Sequence, residues 1–81
     1  MEDWRINFCQ NLRHLRQVYG LTQREMAGIV GVSLGTYGKM ERCDPRVRIH
    51  SGRVCRICDH FNVRTDDMLY QNWPQMLETK S

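Results

Sequence analysis

The chain has 81 residues, of which 41% are hydrophobic and 26% are charged, and its formal net charge is +3. This length suits one small domain that buries about 60% of its unfolded surface, which leaves no room for a second domain. The mildly basic balance permits an acidic partner without requiring one, and every apolar run falls well short of the ~20 residues of a membrane span.

The first predicted element is an amphipathic helix over residues 4 to 19. Its apolar side chains recur at steps of four, three and four residues, which places them on one stripe: Phe8, Leu12, Leu15 and Tyr19. Asp3 is a candidate cap before this helix, and Gly20 is a candidate stop after it.

Two short helices follow in the sequence LTQREMAGIVGVSLGTYGKME. Thr22 and Glu25 have the spacing of a capping box, which predicts the start of helix 2. Gly31 ends that helix after little more than two turns, and Ser33 can cap helix 3 almost at once. The residues predicted to face inward are Met26, Ala27 and Val30 in helix 2, and Tyr37 and Met40 in helix 3. Two short helices joined around a glycine are typical of a helix-turn-helix.

The remaining sequence predicts a loop, two more helices and a tail. RCDPRVRIHS breaks the helical period and is interpreted as a loop, and residues 52 to 62 form helix 4. Thr65 opens helix 5, with acidic residues in its first turn, where the helix dipole favours them. The inward residues are Val54, Ile57, Cys58 and Phe61 in helix 4, and Met68 and Leu69 in helix 5. Pro74 suits the first position of a last turn. No strand pattern competes, so the sequence predicts an all-α fold.

Residues 8 to 70 resemble the DNA-binding domain of the phage repressor and Cro family, often called the XRE family. The segments that carry the resemblance are NLRHLRQVYGLTQREMAGIVGVS, TYGKME and VCRICDHFNVRTDDML. The resemblance implies a compact five-helix, lambda-repressor-like domain in residues 1–70, with a C-terminal tail in residues 71–81. It also implies a sequence-specific transcriptional regulator that binds double-stranded DNA in the cytoplasm.

The resemblance further implies roles for single residues. Gln23 matches the family's phosphate-contacting glutamine, and Ala27 the small residue that lets helices 2 and 3 pack closely. Arg16 and Glu41 match an ion pair that joins helix 1 to the end of helix 3. The residues implied to contact DNA are Gln23, Ser33, Leu34, Gly35, Thr36, Gly38, Lys39, Arg42, Arg46 and Arg48. Arg42-Cys43 stands where the family often has Asn-Gly.

Helix 3 contains two glycines, each of which costs a helix interior ~1 kcal/mol relative to alanine. If Tyr37 and Met40 face inward, the helical period places an apolar front and a cationic rear outward: Leu34, Gly35, Gly38, Lys39 and Arg42. Glycine lets a backbone approach another surface closely. We therefore expect close docking in the major groove, with DNA shape supplying part of the discrimination. The alternative is that the glycines are tolerated in a helix that binds a protein partner.

The sequence from residue 39 to residue 56 is locally basic. It contains six basic residues against two acidic ones, namely Lys39, Arg42, Arg46, Arg48, Arg53 and Arg56 against Glu41 and Asp44. In the resembled family this loop runs along the phosphate backbone, where cations position the protein without reading bases. The alternative is a solvated surface.

The motif CRIC at residues 55 to 58 raises the possibility of a zinc site, because C-x-x-C pairs ligate tetrahedral zinc. The pair lies in a predicted helix without a second matched pair, so Cys58 is interpreted as a small core residue. The acidic start of the chain does not resemble a secretory signal, which favours a reducing compartment and four cysteines without disulfides.

No nucleophile, base and acid set appears, so we expect no enzyme activity, cofactor, metal or small-molecule ligand. The expected partner is double-stranded DNA. Apolar residues outside the five-helix core either cover the domain's own surface or form a homodimer contact: Trp4, Trp73, Met76 and Leu77. The alternative function is a helix-turn-helix module that binds a protein partner.

Overall fold

The computed structural model describes residues 4–74, which form five helices and contain no strand. The helices are α1 (Trp4–Val18), α2 (Gln23–Val30), α3 (Leu34–Glu41), α4 (Ser51–Phe61) and α5 (Thr65–Tyr70). The all-α class with five helices and a helix-turn-helix arrangement at α2 and α3 confirms the predicted fold. Asp3, Met76 and Leu77 lie outside the described residues, as does most of the turn expected after Pro74. No helix between residues 4 and 74 is long and apolar enough to cross a bilayer.

One hydrophobic core joins the five helices. Its fully buried large side chains come from every helix and include Phe8, Leu12, Met26, Tyr37, Met40, Ile57 and Met68. Each such side chain contributes roughly 1.5–3 kcal/mol through removal from water. The inward faces predicted for α2, α3 and α4 are confirmed, and Leu69 of α5 is half-buried at the edge of the core.

Tyr19 does not belong to the buried stripe of α1, so that prediction is wrong. The helix ends one residue earlier, at Val18, and Gly20 turns the chain with a φ of 66°. Tyr19 is therefore 55% exposed, and its ring lies against Phe61 with 5.0 Å between centroids. It covers the rim of the core rather than filling it.

Two asparagines of α1, buried among the apolar residues, hold the C-terminal part of the chain. Asn11 Nδ2 donates to the carbonyls of Met68 and Gln71 at 2.8 and 2.7 Å, and its Oδ1 accepts from the backbone N–H of Trp73 at 2.9 Å. Asn7 Nδ2 donates to the carbonyl after Met68, at 3.0 Å. These bonds satisfy carbonyls that the end of α5 leaves without intrahelical partners. The Trp73 side chain packs against the core, and its ring lies 6.2 Å from that of His14 in α1, centroid to centroid.

Local hydrogen bonds fix the helix-turn-helix. Thr22 and Glu25 form both bonds of the predicted capping box at the start of α2. Gly31 ends α2 with a φ of 85°, a left-handed conformation that glycine adopts without strain. Ser33 Oγ then accepts from the backbone N–H of Thr36 at 3.2 Å and caps α3. The turn thus orients α3 so that Tyr37 and Met40 face the core and the side with Leu34 faces solvent.

The helix after the loop is shifted by one residue from its predicted bounds. α4 begins at Ser51 and ends at Phe61, because Asn62 adopts a left-handed φ of 55° and closes the helix. Asparagine tolerates this conformation better than most residues. α5 begins at Thr65 as predicted.

Candidate nucleic-acid interface

The outward face of α3 consists of Leu34, Gly35, Lys39 and Arg42, all of which are exposed. Leu34 is 41% exposed although it is a large apolar side chain. A β-carbon added to Gly35 would meet no atom within 4 Å, so the backbone at this position is open to solvent. The face is therefore flat and apolar near the start of α3 and cationic near its end.

The helical period places Gly38 on the outward side of α3, but Gly38 is buried, so the prediction that it belongs to the exposed surface there is wrong. A β-carbon on Gly38 would stand 3.4 Å from Nη1 of Arg42. Helical side chains point back over the turn that precedes them, and Arg42 follows this rule by covering the residue four positions earlier. Gly38, which has no side chain, thus leaves room for the Arg42 guanidinium group against the helix.

The structure brings Arg16 and Glu41 together, as the resemblance implies. Arg16 Nε donates to Glu41 Oε2 at 2.6 Å, and Arg16 Nη2 donates to Oε1 at 3.2 Å. Gln23 Nε2 also donates to Glu41 Oε1, at 3.1 Å. This arrangement fixes the start of α2 and the end of α3 against α1. Gln23 keeps a second amide N–H and its carbonyl for other partners.

Electrostatics stabilise the charged form of Glu41. Burial acts to raise the pKa of this carboxyl group, but bonds from Arg16 and Gln23 and the nearby Tyr37 hydroxyl together hold the pKa below its ordinary value. The Tyr37 hydroxyl is buried without a partner at hydrogen-bond geometry among residues 4–74. Burial raises the pKa of Tyr37, so its hydroxyl stays neutral beside the ion pair.

A groove of about 360 Å³ separates α3 from the loop that follows it. Its polar lining comes from both sides and is predominantly basic: Thr36, Lys39, Arg46, Arg48, His50 and Arg53. Arg46 donates twice to the Asp44 carboxylate, at 2.9 and 3.1 Å, which lowers the pKa of Asp44 to about 2. The charge of Arg46 is thereby partly compensated by its neighbour.

Two arginines of the basic sequence point towards the end of α2. Arg53 Nη1 donates to the carbonyls of Val30 and Gly31 at 3.3 and 3.0 Å, and Arg56 Nε donates to the carbonyl of Ile29 at 2.9 Å. Cations at a helix C-terminus satisfy its last carbonyls and its dipole. Within residues 39–56, the cations whose side chains make no hydrogen bond or ion pair to described residues are Lys39, Arg42 and Arg48.

A family model described as a helix-turn-helix domain matches residues 8–69, which extends from α1 into α5. The chain belongs to this helix-turn-helix domain family. Such domains are in general those of DNA-binding regulators and are typically not enzymes. No curated protein and no solved structure matches the chain.

Arg5 positions the loop of this helix-turn-helix domain, and the sequence reasoning missed it. Its Nη2 donates to the carbonyls of Val47 and Asp44 at 2.9 and 3.3 Å. Cys43 Sγ in turn donates to the carbonyl of Arg5 at 3.6 Å. Arg5 in α1 therefore fixes the position of the loop. Its contact with Val47 joins residues that are 42 positions apart, and no local pattern in the sequence indicates it.

The two cysteines of the CRIC motif in α4 differ in their burial. Cys58 is buried in the core and Cys55 is exposed, although residues three apart lie near one another on a helix surface. Burial raises the pKa of the Cys58 thiol, which disfavours the thiolate that would bind metal. No group of three His, Cys, Asp or Glu side chains between residues 4 and 74 is arranged to hold a metal ion.

Proposed function

We propose that this helix-turn-helix domain is a sequence-specific transcriptional regulator of the phage repressor and Cro type, which binds double-stranded DNA. In this proposal α3 enters the major groove and the loop after α3 follows the phosphate backbone. The observation that supports it most is the exposed outward face of α3 beside a groove lined by cations. The face is free of covering chain within residues 4–74.

The dimensions and chemistry of α3 suit a major groove. An α-helix with its side chains is about 10–12 Å in diameter, and the groove is about 12 Å wide. The open backbone at Gly35 permits close approach, and Leu34 offers an apolar contact to a thymine methyl group. Lys39 offers a donor to guanine.

The phosphate contacts in this proposal come from both sides of α3. Gln23 and Ser33 lie at the starts of α2 and α3, where backbone N–H groups and helix dipoles favour anions. On the other side, Arg48 lines the groove together with Thr36 and Arg46. These contacts set the register of the protein on DNA without reading its sequence.

Fluorescence anisotropy with a labelled duplex, selected from a random pool, tests the proposal. Arg48, the loop cation that makes no ion pair, predicts a contribution of about −0.9 to the slope of the logarithm of affinity against the logarithm of salt concentration, because each neutralised phosphate contributes about −0.9. Arg48→Ala should flatten the slope by about 0.9, whereas Lys39→Ala, which removes a base contact, should lower the sequence preference with a smaller change of slope. The matched control is Arg64→Ala, at the exposed N-cap of α5, an element that does not pack on α3.

Two results would contradict the proposal. A slope near zero would show that phosphates are not contacted, and no binding to any duplex at low salt would favour the protein-binding module instead. The selected sites also report on assembly, because two-fold dimers of this type require two half-sites about one helical turn apart.

A further inference from the structure

The arginines near α3 divide into those that are already engaged and those that are available. Arg16 is held by Glu41, Arg46 by Asp44, and Arg53 by the last carbonyls of α2. Arg42 makes no side-chain hydrogen bond or ion pair to any residue from 4 to 74. Its five N–H donors therefore remain available, although its guanidinium has a defined place in the structure.

That place is set by the helix itself. The backbone N–H of Arg42 donates to the carbonyl of Gly38 at 3.2 Å, so the two residues are one turn apart. The Arg42 side chain runs back along this turn, and its Nη1 lies 3.4 Å from the position of a β-carbon on Gly38. Gly35, Gly38 and Arg42 lie on one side of α3 by the helical period. The guanidinium therefore lies over the bare backbone of α3 rather than beyond its end.

This geometry matters for DNA recognition, so the inference rests on the proposed function. An arginine reads guanine through two parallel donors to O6 and N7, which requires a fixed orientation of its planar fork. A guanidinium that is already packed on the helix loses less side-chain freedom when it binds. Lys39, by comparison, is a flexible point charge, and Leu34 has no donor.

We propose that Arg42 is the guanine-reading side chain of α3, and that Gly38 is the positioning residue that holds its guanidinium towards the outward face. A β-carbon at position 38 would stand at van der Waals contact with the guanidinium, and a long side chain there would compete with it for the same surface of the helix. Gly35 lacks such a neighbour, because nothing lies within 4 Å of its added β-carbon. The two glycines of α3 therefore differ in role, and Gly35 serves as the matched comparison.

The test is a double-mutant cycle on affinity. Gly38→Gln and Gly35→Gln are each made in the wild type and in Arg42→Ala, and binding is measured on the selected duplex and on duplexes with single base-pair changes. Glutamine is a good helix former, so Gly35→Gln should not weaken the fold; Gly38 is buried, so circular dichroism and the Tm of Gly38→Gln are measured first to establish that the fold is kept. Arg42→Ala should remove roughly 10- to 100-fold discrimination at one G·C pair, the range of a bidentate arginine–guanine contact.

The cycle gives distinct outcomes. Gly38→Gln should lose the same discrimination in the wild type and have little further effect in Arg42→Ala, whereas the effect of Gly35→Gln should be equal in both backgrounds. Arg42→Lys should not restore discrimination, because lysine lacks the planar fork. Equal loss of affinity on every duplex in Arg42→Ala would reduce Arg42 to a phosphate contact and overturn its reading role.

Failure of the inference can be separated from failure of the proposed function. If the wild type binds with sequence preference but Arg42→Ala keeps that preference, only the inference fails. If the wild type binds no duplex at low salt, the proposed function fails, and the reading role fails with it. The position of the Arg42 side chain over Gly38 is tested without DNA, by nuclear Overhauser contacts between the Arg42 side chain and the Gly38 α-protons in the free protein. The absence of these contacts would overturn the positioning role of Gly38.

Discussion

Replacement of Glu41 by glutamine should destabilise the domain strongly, because Glu41 accepts three bonds in a nearly buried position. Its side chain is 6% exposed and that of Arg16 is 19% exposed. An exposed ion pair contributes about 0–1 kcal/mol, whereas removing one partner of a buried pair costs about 3–5 kcal/mol. The intermediate burial, together with the bond that Arg16 keeps to the carbonyl of Leu21, predicts a loss of about 2 kcal/mol.

Thermal unfolding followed by circular dichroism measures this loss. For a domain of this size, a loss of about 2 kcal/mol lowers the Tm by roughly 8–16 °C. The control is Asp44→Asn: its partner Arg46 is 81% exposed, and the asparagine oxygen can still accept from the backbone N–H of Arg46, so the Tm should change less. A Glu41→Gln protein that melts with the wild type at pH 7 would refute the reasoning.

The pH dependence of the same difference provides a second check. The pKa of Glu41 in the folded protein is held below its ordinary value of 4.5, which approximates the unfolded chain. The stability that Glu41 contributes is therefore fully present above pH 4.5 and is lost as the pH falls through the lower folded pKa. The Tm difference between wild type and Glu41→Gln should shrink below pH 4.5, and a difference that stays constant down to pH 3 would contradict the assigned cause.

Three further predictions concern stability and capping. Asn11→Ala leaves two carbonyls and one N–H without their buried partner and should cost about 3 kcal/mol in urea unfolding; a cost below that of an ordinary surface substitution would contradict the role of Asn11. Gly35→Ala should raise stability by up to about 1 kcal/mol, whereas Gly31→Ala should lower it by a similar amount, because Gly31, unlike Gly35, has a positive φ. Arg53→Ala should lower the Tm without changing the salt slope of DNA binding, since its guanidinium caps α2; an altered slope would place Arg53 on the phosphates.

Local features of this fold could be predicted from the sequence, because their causes lie within a few residues. The capping box of Thr22 and Glu25 joins residues three apart, and Ser33 reaches only to Thr36. The apolar faces of α2, α3 and α4 follow from the helical period alone. The resemblance to a known family placed Arg16 beside Glu41, a pairing that the helical period does not reveal.

Contacts between distant parts of the chain could not be predicted. In the sequence Asn11 looks like a polar residue of an exposed surface, and only the folded protein shows that it is buried and bonded to carbonyls 57 and 60 residues later. Arg5 and Arg53 are ordinary charged residues in the sequence, and only packing shows that they hold the loop and cap α2. Long arginine side chains reach partners that periodicity does not specify.

The misplacement of Gly38 has a similar origin. The helical period fixes the direction of each α-carbon, and on that basis Gly38 belongs near the outward side of α3. Its burial depends on the rotamer of Arg42, which covers it. A pattern of residue types carries no information about that rotamer, so the covered glycine and the open Gly35 look alike in the sequence.

Amide chemical-shift changes during titration of the isotopically labelled domain with its selected duplex identify the residues that meet DNA. We expect the largest changes between Ser33 and His50, with a second group at the start of α2, and we expect a triple variant of Lys39, Arg42 and Arg48 to alanine to lose them. Changes confined to α5 and the exposed side of α1, or the same changes in the triple variant, would contradict the claim that the outward face of α3 meets DNA.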